Sequence, residues 1–189
     1  MSDPQFILAS ASPRRKELLN QAGLSFKIVP AEIDESPKPN ESPQDYVLRL
    51  SLEKARKIGG TLPVLGADTV VSIGGMLLGK PGDPVEAMEM LKRLAGKTHL
   101  VHTGVSVVSG AKEESIFTAT EVTFIDATDD QIRDYIATGE PFDKAGGYGI
   151  QGQGSFLVES TKGSFTGVVG LPVEETLLLL EKFGVTKPV

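Results

Sequence analysis

Residues 64–78 have the sequence VLGADTVVSIGGMLL. The first ten residues are rich in β-branched and apolar side chains, which is typical of a strand that is buried on both faces. Gly74-Gly75 then supplies a two-residue turn, and Met76-Leu77-Leu78 returns along the strand. The stretch therefore predicts a central β-hairpin that carries one carboxylate, Asp68, inside an apolar strand.

Helix and strand patterns alternate on both sides of this hairpin. Capping residues and apolar stripes predict helices at residues 13–22, 43–58, 83–95, 128–138 and 172–183. Runs of β-branched and aromatic residues predict further strands at residues 6–9, 98–108, 115–125, 156–158 and 165–169. Because the two patterns are interleaved, we expect an α/β fold with a mixed sheet and flanking helices.

Length, charge and composition exclude several classes of protein. A chain of 189 residues is the size of one domain, and it has no cysteine, which excludes thiol catalysis, Cys-ligated zinc and disulfides. A net charge of -6 argues against a nucleic-acid polymer, although a few placed cations could still hold a small polyanion. The sequence has no long apolar run and no basic-plus-apolar start, so we expect a cytoplasmic protein that does not enter the membrane.

The segment SASPRR at residues 10–15 is a candidate phosphate site. A strand end turns here into a helix N-terminus, where N–H groups, the helix dipole and the guanidiniums of Arg14 and Arg15 suit an anion. Ser12-Pro13 is also a good cap for any helix, so a plain cap is the alternative. Two arginines in a first turn oppose the dipole preference for acids, and a bound anion would reverse that cost.

Lys54 and Asp68 are candidates because both are predicted to be buried. At 100° per residue, Val47, Leu50 and Lys54 lie on one stripe of their helix, which should face the core. The lysine then needs a partner, unless its long stem reaches the surface. A buried carboxylate costs several kcal/mol unless cations, a metal or donors compensate, so Asp68 is the stronger candidate.

Weaker candidates lie in predicted loops and turns. Glu35 lies in a proline-rich loop, Lys80 follows the hairpin in Gly79-Lys80-Pro81, and Gln151 lies in a glycine-rich segment that could approach a ligand or be only a loop. His99 and His102 should face opposite sides of a strand, so we interpret them as structural rather than as a metal pair. The cations and carboxylates together favour metal-assisted chemistry on a small molecule that bears phosphates.

Seven segments carry a resemblance to a known family. They are LASASPRR (8–15), EKA (53–55), GADT (66–69), GKP (79–81), DKAG (143–146), YGIQG (148–152) and VGLP (169–172). In this order they resemble the motifs of the Maf family of nucleoside triphosphate pyrophosphatases, over essentially the whole chain. The resemblance implies a house-cleaning enzyme that cleaves a nucleoside triphosphate to the monophosphate and pyrophosphate with a divalent metal, Mg²⁺ or Mn²⁺. It also implies a single domain similar in fold to the inosine triphosphate pyrophosphatases, with a strongly twisted sheet and two lobes around a cleft.

The resemblance assigns roles to individual residues. It implies that Asp68 is the proton acceptor and that Glu35 and Asp68 hold the metal. The other residues that it places at the phosphate and metal site are Ser10, Arg15, Lys54 and Lys80.

Substrate preference is implied by the same resemblance. Thr69, with Arg14 and Gln151, is similar to the branch that acts on dTTP and UTP, including base-modified uridine triphosphates. The branch that prefers 7-methyl-GTP carries glutamine at the Thr69 position. The same reaction on 7-methyl-GTP or another purine is one alternative, and a nucleotide-binding regulator of septum formation is another. A homodimer would fit the resemblance.

Overall fold

The sheet confirms the mixed α/β prediction. The computed structural model describes residues 3–187. Within this range seven strands form one sheet, and they are β1 (Phe6–Leu8), β2 (Phe26–Ile28), β3 (Val64–Ile73), β4 (Met76–Leu78), β5 (Thr98–Ser109), β6 (Lys112–Phe124) and β7 (Val158–Lys162). The strand order is β2-β1-β3-β5-β6-β7, and β4 pairs with β3. Strand β1 is parallel to β2 and β3, whereas β4 is antiparallel to β3 and β7 to β6.

The described residues form six α-helices, and they are α1 (Pro13–Gln21), α2 (Pro43–Ile58), α3 (Pro84–Leu94), α4 (Asp129–Ala137), α5 (Phe165–Val169) and α6 (Val173–Glu181). All of them except α5 begin within one residue of the predicted start. The side chains of Ser12, Ser42, Asp83 and Thr128 each accept a hydrogen bond from a first-turn N–H, which fixes the start of α1 to α4. No helix in the described part of the chain is both long and apolar enough to cross a membrane.

Two predicted strands differ from the structure, and strand β2 (Phe26–Ile28) was not predicted. The predicted strand at residues 165–169 is wrong, because these residues form α5, where the Ser164 hydroxyl accepts a hydrogen bond from Gly167 N at 3.0 Å. The neighbouring predicted strand at residues 156–158 is displaced, since β7 runs from Val158 to Lys162. A short apolar run fits the period of a strand and the period of a helix equally well. A local capping hydrogen bond therefore decides which of the two forms.

The chain divides into two compact units. The first comprises Met1–Asp68, Thr103–Thr118 and Gly170–Val189, and the second comprises Thr69–His102 and Ala119–Val169. Apolar side chains from α3, α4, β5 and β6 form the core of the second unit. The single domain that the sequence predicts stays a prediction.

Two glycines bring helix α2 close to the strands of the first unit. A Cβ atom on Gly66 would lie 2.1 Å from the carbonyl oxygen of Ser51, and one on Gly104 would lie 2.5 Å from that of Val47. Both distances are far below van der Waals contact, so only glycine permits this approach. Helix α2 therefore lies directly against β3, which carries Asp68.

Candidate active site

Asp68 is buried in β3 and keeps one oxygen available. Only 7% of its surface is exposed, and burial raises the pKa of its carboxyl above the ordinary value, against the opposing effect of Lys54. Oδ1 accepts a hydrogen bond from Lys54 Nζ at 2.8 Å. Oδ2 is also buried, and it has no hydrogen-bond partner among residues 3–187. A buried acceptor of this kind is costly unless something binds it, which is the physical reason to treat Asp68 as a candidate site residue.

Lys54 joins two carboxylates of different exposure. It lies on the buried stripe of α2, as predicted, and its side chain is 9% exposed. Besides Asp68, its Nζ lies 2.8 Å from Glu35 Oε1, and the Glu35 side chain is 52% exposed. Because the lysine side chain is buried, the alternative that its long stem reaches the surface is wrong. One ammonium holds a buried and an exposed carboxylate together.

Arg15 is anchored inside the same unit. It is 8% exposed, its Nε donates to Gly170 O at 2.8 Å, and its Nη1 donates to Ser10 Oγ at 3.2 Å. Burial lowers the pKa of the guanidinium, and the negative charges of Asp68 and Glu35 oppose that shift. Arg15 thus belongs to the electrostatic surroundings of Asp68, and Ser10 contacts Arg15. An anion at the helix start stays a prediction.

Three residues that the sequence analysis missed hold the Glu35 loop. Tyr46 donates its hydroxyl hydrogen to Glu35 O at 2.8 Å, and Arg49 Nη2 donates to Ser36 O at 3.2 Å. Arg49 also binds both carboxylate oxygens of Glu41. Tyr46 and Arg49 lie three residues apart, so they share one face of α2, which is the signal that could have identified them. Helix α2 therefore places Lys54 and also fixes the backbone that carries Glu35.

Glu41→Gln should lower the free energy of unfolding by an amount that depends on pH. The hydrogen bonds from Arg49 hold the pKa of Glu41 at about 2, against an ordinary value of 4.5. A lowered pKa in the folded state stabilises the fold above the unfolded pKa, and this contribution is lost as the pH falls. The difference between wild type and variant should be constant above pH 4.5 and shrink toward about pH 2. Urea denaturation across this range measures it.

The control for this series is Glu32→Gln, which changes an exposed glutamate of the same loop. It should alter the free energy of unfolding little at any pH. A Glu41→Gln effect that stays the same down to about pH 2 would contradict the assignment of the pKa shift to Arg49.

The remaining predicted site residues differ in burial and unit. Arg14 is half-buried in the first turn of α1. Thr69 is half-buried in β3, whereas Lys80 and Gln151 are exposed, and all three belong to the second unit. Their part in substrate binding stays a prediction.

The two histidines bind different partners. His99 Nε2 lies 2.7 Å from the Tyr148 hydroxyl, and His102 Nε2 lies 2.7 Å from Ser72 Oγ. Burial lowers the pKa of His99 to about 4, and it lowers the pKa of His102 as well. Both rings are therefore neutral near pH 7, which fits the structural interpretation.

The donor set at Asp68 and Glu35 fits a hard divalent cation. Within residues 3–187 no group of three or more acidic or histidine side chains is placed to hold a metal ion. Two carboxylates still suit Mg²⁺, which keeps several waters and is often held by one or two carboxylates together with substrate phosphates. The buried Oδ2 of Asp68 supplies an acceptor that no protein donor in this range uses.

The chain is similar to proteins of one family. The family model described as "Maf-like protein" matches residues 5–183. A dTTP/UTP pyrophosphatase of Syntrophus aciditrophicus is 46% identical, and the match covers 97% of this chain and 92% of that protein. A dTTP/UTP pyrophosphatase of Bacillus pumilus is 50% identical, covering 96% and 98%. Among solved structures, the Staphylococcus aureus Ham1 protein is 10% identical with a TM-score of 0.47, covering 81% of this chain and 79% of that one.

Proposed function

Since the chain belongs to the Maf-like protein family, we propose that it is a nucleoside triphosphate pyrophosphatase that hydrolyses dTTP and UTP, including base-modified uridine triphosphates. The products are the nucleoside monophosphate and pyrophosphate. The observation that carries the proposal is the buried Asp68 carboxylate, which shares Lys54 with Glu35 and keeps Oδ2 available. The printed names of relatives at 46% and 50% identity support the choice of substrate.

Asp68 is the proposed general base. It accepts a proton as the oxygen of a water molecule forms a bond to the α-phosphorus, while the bond from that phosphorus to the pyrophosphate oxygen breaks. A base works best when its pKa lies near the operating pH, and burial moves the pKa of Asp68 upward in that direction. Lys54 holds Oδ1 and so leaves the other carboxylate oxygen for the water or a cation.

Cationic side chains stabilise the charge that the phosphates carry. We assign this role to Lys54 and to Arg15, which Ser10 orients through its hydroxyl, and to Lys80 by resemblance. Glu35 and Asp68 would hold a divalent cation, Mg²⁺ or Mn²⁺, which when bound neutralises phosphate charge as a Lewis acid. The Glu35 side chain is exposed, but Tyr46 and Arg49 bind the backbone of its loop. These contacts would keep Glu35 in place to hold the cation.

Base recognition is assigned to Thr69, Arg14 and Gln151. Thr69 and Gln151 would read the pyrimidine edge by hydrogen bonds. A site that pairs polar groups with its substrate rejects a mismatched base more strongly than an apolar pocket does, because the mismatch leaves those groups unpaired.

A nucleotide panel tests the proposal. The purified chain is incubated with dTTP, UTP, dCTP, dATP, GTP and 7-methyl-GTP, with and without Mg²⁺, and pyrophosphate is measured separately from orthophosphate. We expect dTTP and UTP to exceed the purines by at least about 10-fold in kcat/KM, with pyrophosphate as the released product. A purine that is preferred would refute the base assignment. Binding without turnover of any nucleotide would favour the regulator instead.

A further inference from the structure

The glycine-rich segment of the second unit is held by two side chains outside it. Residues 149–154 read GIQGQG and carry Gln151. Tyr135 lies on α4 and is buried, and Glu140 is the first residue of the short 3₁₀ helix that follows α4. The Tyr135 hydroxyl donates a hydrogen bond to Glu140 Oε1 at 2.9 Å. We call these two hydrogen-bonded side chains the Tyr135–Glu140 clamp.

The clamp binds the backbone on both sides of Gln151. Before it, Gly149 N donates to the Tyr135 hydroxyl at 3.2 Å. After it, Gln153 N donates to Glu140 Oε2 at 2.8 Å and Gly154 N donates to Glu140 Oε1 at 3.1 Å. A short segment with three hydrogen-bonded amides has few alternative conformations. The backbone that carries the Gln151 side chain is therefore held in one position.

Two glycines of this segment leave room for the clamp side chains. A Cβ atom on Gly152 would lie 2.5 Å from Glu140 Oε2, and one on Gly154 would lie 2.5 Å from the Tyr135 hydroxyl oxygen. Neither glycine adopts a positive φ, so the need for glycine comes from close approach and not from backbone conformation. From the sequence, the many glycines suggest that a ligand could approach this backbone. In the structure, the groups that approach Gly152 and Gly154 are protein side chains.

Glu140 is suited to hold amides because it stays ionised. Partial burial would raise the pKa of its carboxyl, but the hydrogen bonds from Gly154, Gln153 and Tyr135 outweigh this and lower the pKa. An ionised carboxylate is an acceptor only, and it matches three donors. Replacement by glutamine puts a donor where the segment needs an acceptor.

We propose that Tyr135 and Glu140 are positioning residues for substrate selectivity, which they set by fixing the backbone that carries Gln151. This inference rests on the proposed function, in which Gln151 reads the pyrimidine edge. The clamp itself touches no reacting atom. Its loss should therefore weaken the preference among bases and raise KM, while kcat for dTTP changes little.

The test combines hydrogen exchange with selectivity in Glu140→Gln and Tyr135→Phe. Glu140→Gln weakens the acceptor of Gln153 N and Gly154 N, and Tyr135→Phe removes the acceptor of Gly149 N. We expect the amides affected in each variant to exchange about 10-fold faster, as the loss of a hydrogen bond implies. The ratio of kcat/KM for dTTP to that for dCTP should fall by a similar factor of about 10. Glu159→Gln, an exposed glutamate on β7, is the matched control and should change neither quantity. Tyr135→Phe retains the ring and carries the test if Glu140→Gln does not fold.

The Gln151→Ala variant separates positioning from general damage. If the clamp acts through Gln151, adding Glu140→Gln to Gln151→Ala should cause no further loss of selectivity. A further loss in the double variant, or unchanged exchange in the single variants, would overturn the inference. Faster exchange with unchanged selectivity would overturn it too. Absence of dTTP and UTP hydrolysis in the wild type would instead refute the proposed function, and the exchange data would still decide whether the clamp exists.

Discussion

Asp68→Asn is expected to reduce kcat for pyrophosphate release by about 10²–10⁴-fold, the usual contribution of a positioned general base. Asparagine has nearly the same shape, and its carbonyl oxygen can still accept the hydrogen bond that Lys54 donates to Oδ1. The substitution removes the negative charge and the ability to take a proton at Oδ2. The loss should therefore appear in kcat with dTTP, measured by pyrophosphate release at saturating substrate.

The control for Asp68→Asn is Asp134→Asn, the same chemical change at an exposed position of α4. It should leave kcat within about a factor of two, as expected for a surface substitution. Circular dichroism and thermal unfolding establish that both variants are folded. Near-normal turnover in a folded Asp68→Asn would refute the assignment of this residue as the base.

The burial of Lys54 and Asp68, the pair at the centre of the candidate site, was predictable from periodicity and from the apolar strand. The helical stripe placed Lys54 inward, and the apolar strand placed Asp68 in the core, where it needs a cation. That the two residues meet was not predictable from these patterns, because they lie 14 residues apart with a loop between the helix and the strand. Gly66 is one sequence feature that indicates this contact, since a glycine there lets α2 approach β3.

The features that the sequence did not predict depend on contacts to irregular backbone. Tyr46 and Arg49 bind carbonyl groups of the Glu35 loop, and Glu140 binds amides of the segment around Gln151. A loop has no periodicity, so nothing in the spacing of residues indicates which side chain will hold it. The glycine-rich segment shows the same limit, because glycine density indicates close approach without saying which group approaches.

Lys54→Met is expected to destabilise the fold by about 3–5 kcal/mol, the usual cost of leaving one member of a buried ion pair without its partner. Methionine fills a similar volume on the buried face of α2, so the loss of charge dominates the effect. Asp68 would then keep its desolvated carboxylate without the ammonium that now lies 2.8 Å from Oδ1. Urea denaturation measures the change, and pyrophosphate release should fall in the same variant because a phosphate-neutralising cation is gone.

A double variant and a surface control identify the origin of this effect. Lys57→Met changes an exposed lysine of the same helix and should alter the free energy of unfolding by less than about 0.5 kcal/mol. Adding Asp68→Asn to Lys54→Met removes the uncompensated charge, so it should restore part of the lost stability without restoring activity. If Lys54→Met and Lys57→Met unfold at the same urea concentration, Lys54 does not compensate a buried charge. The ion pair would then contribute no more than a surface contact, and the burial of Asp68 would no longer support its assignment as the base.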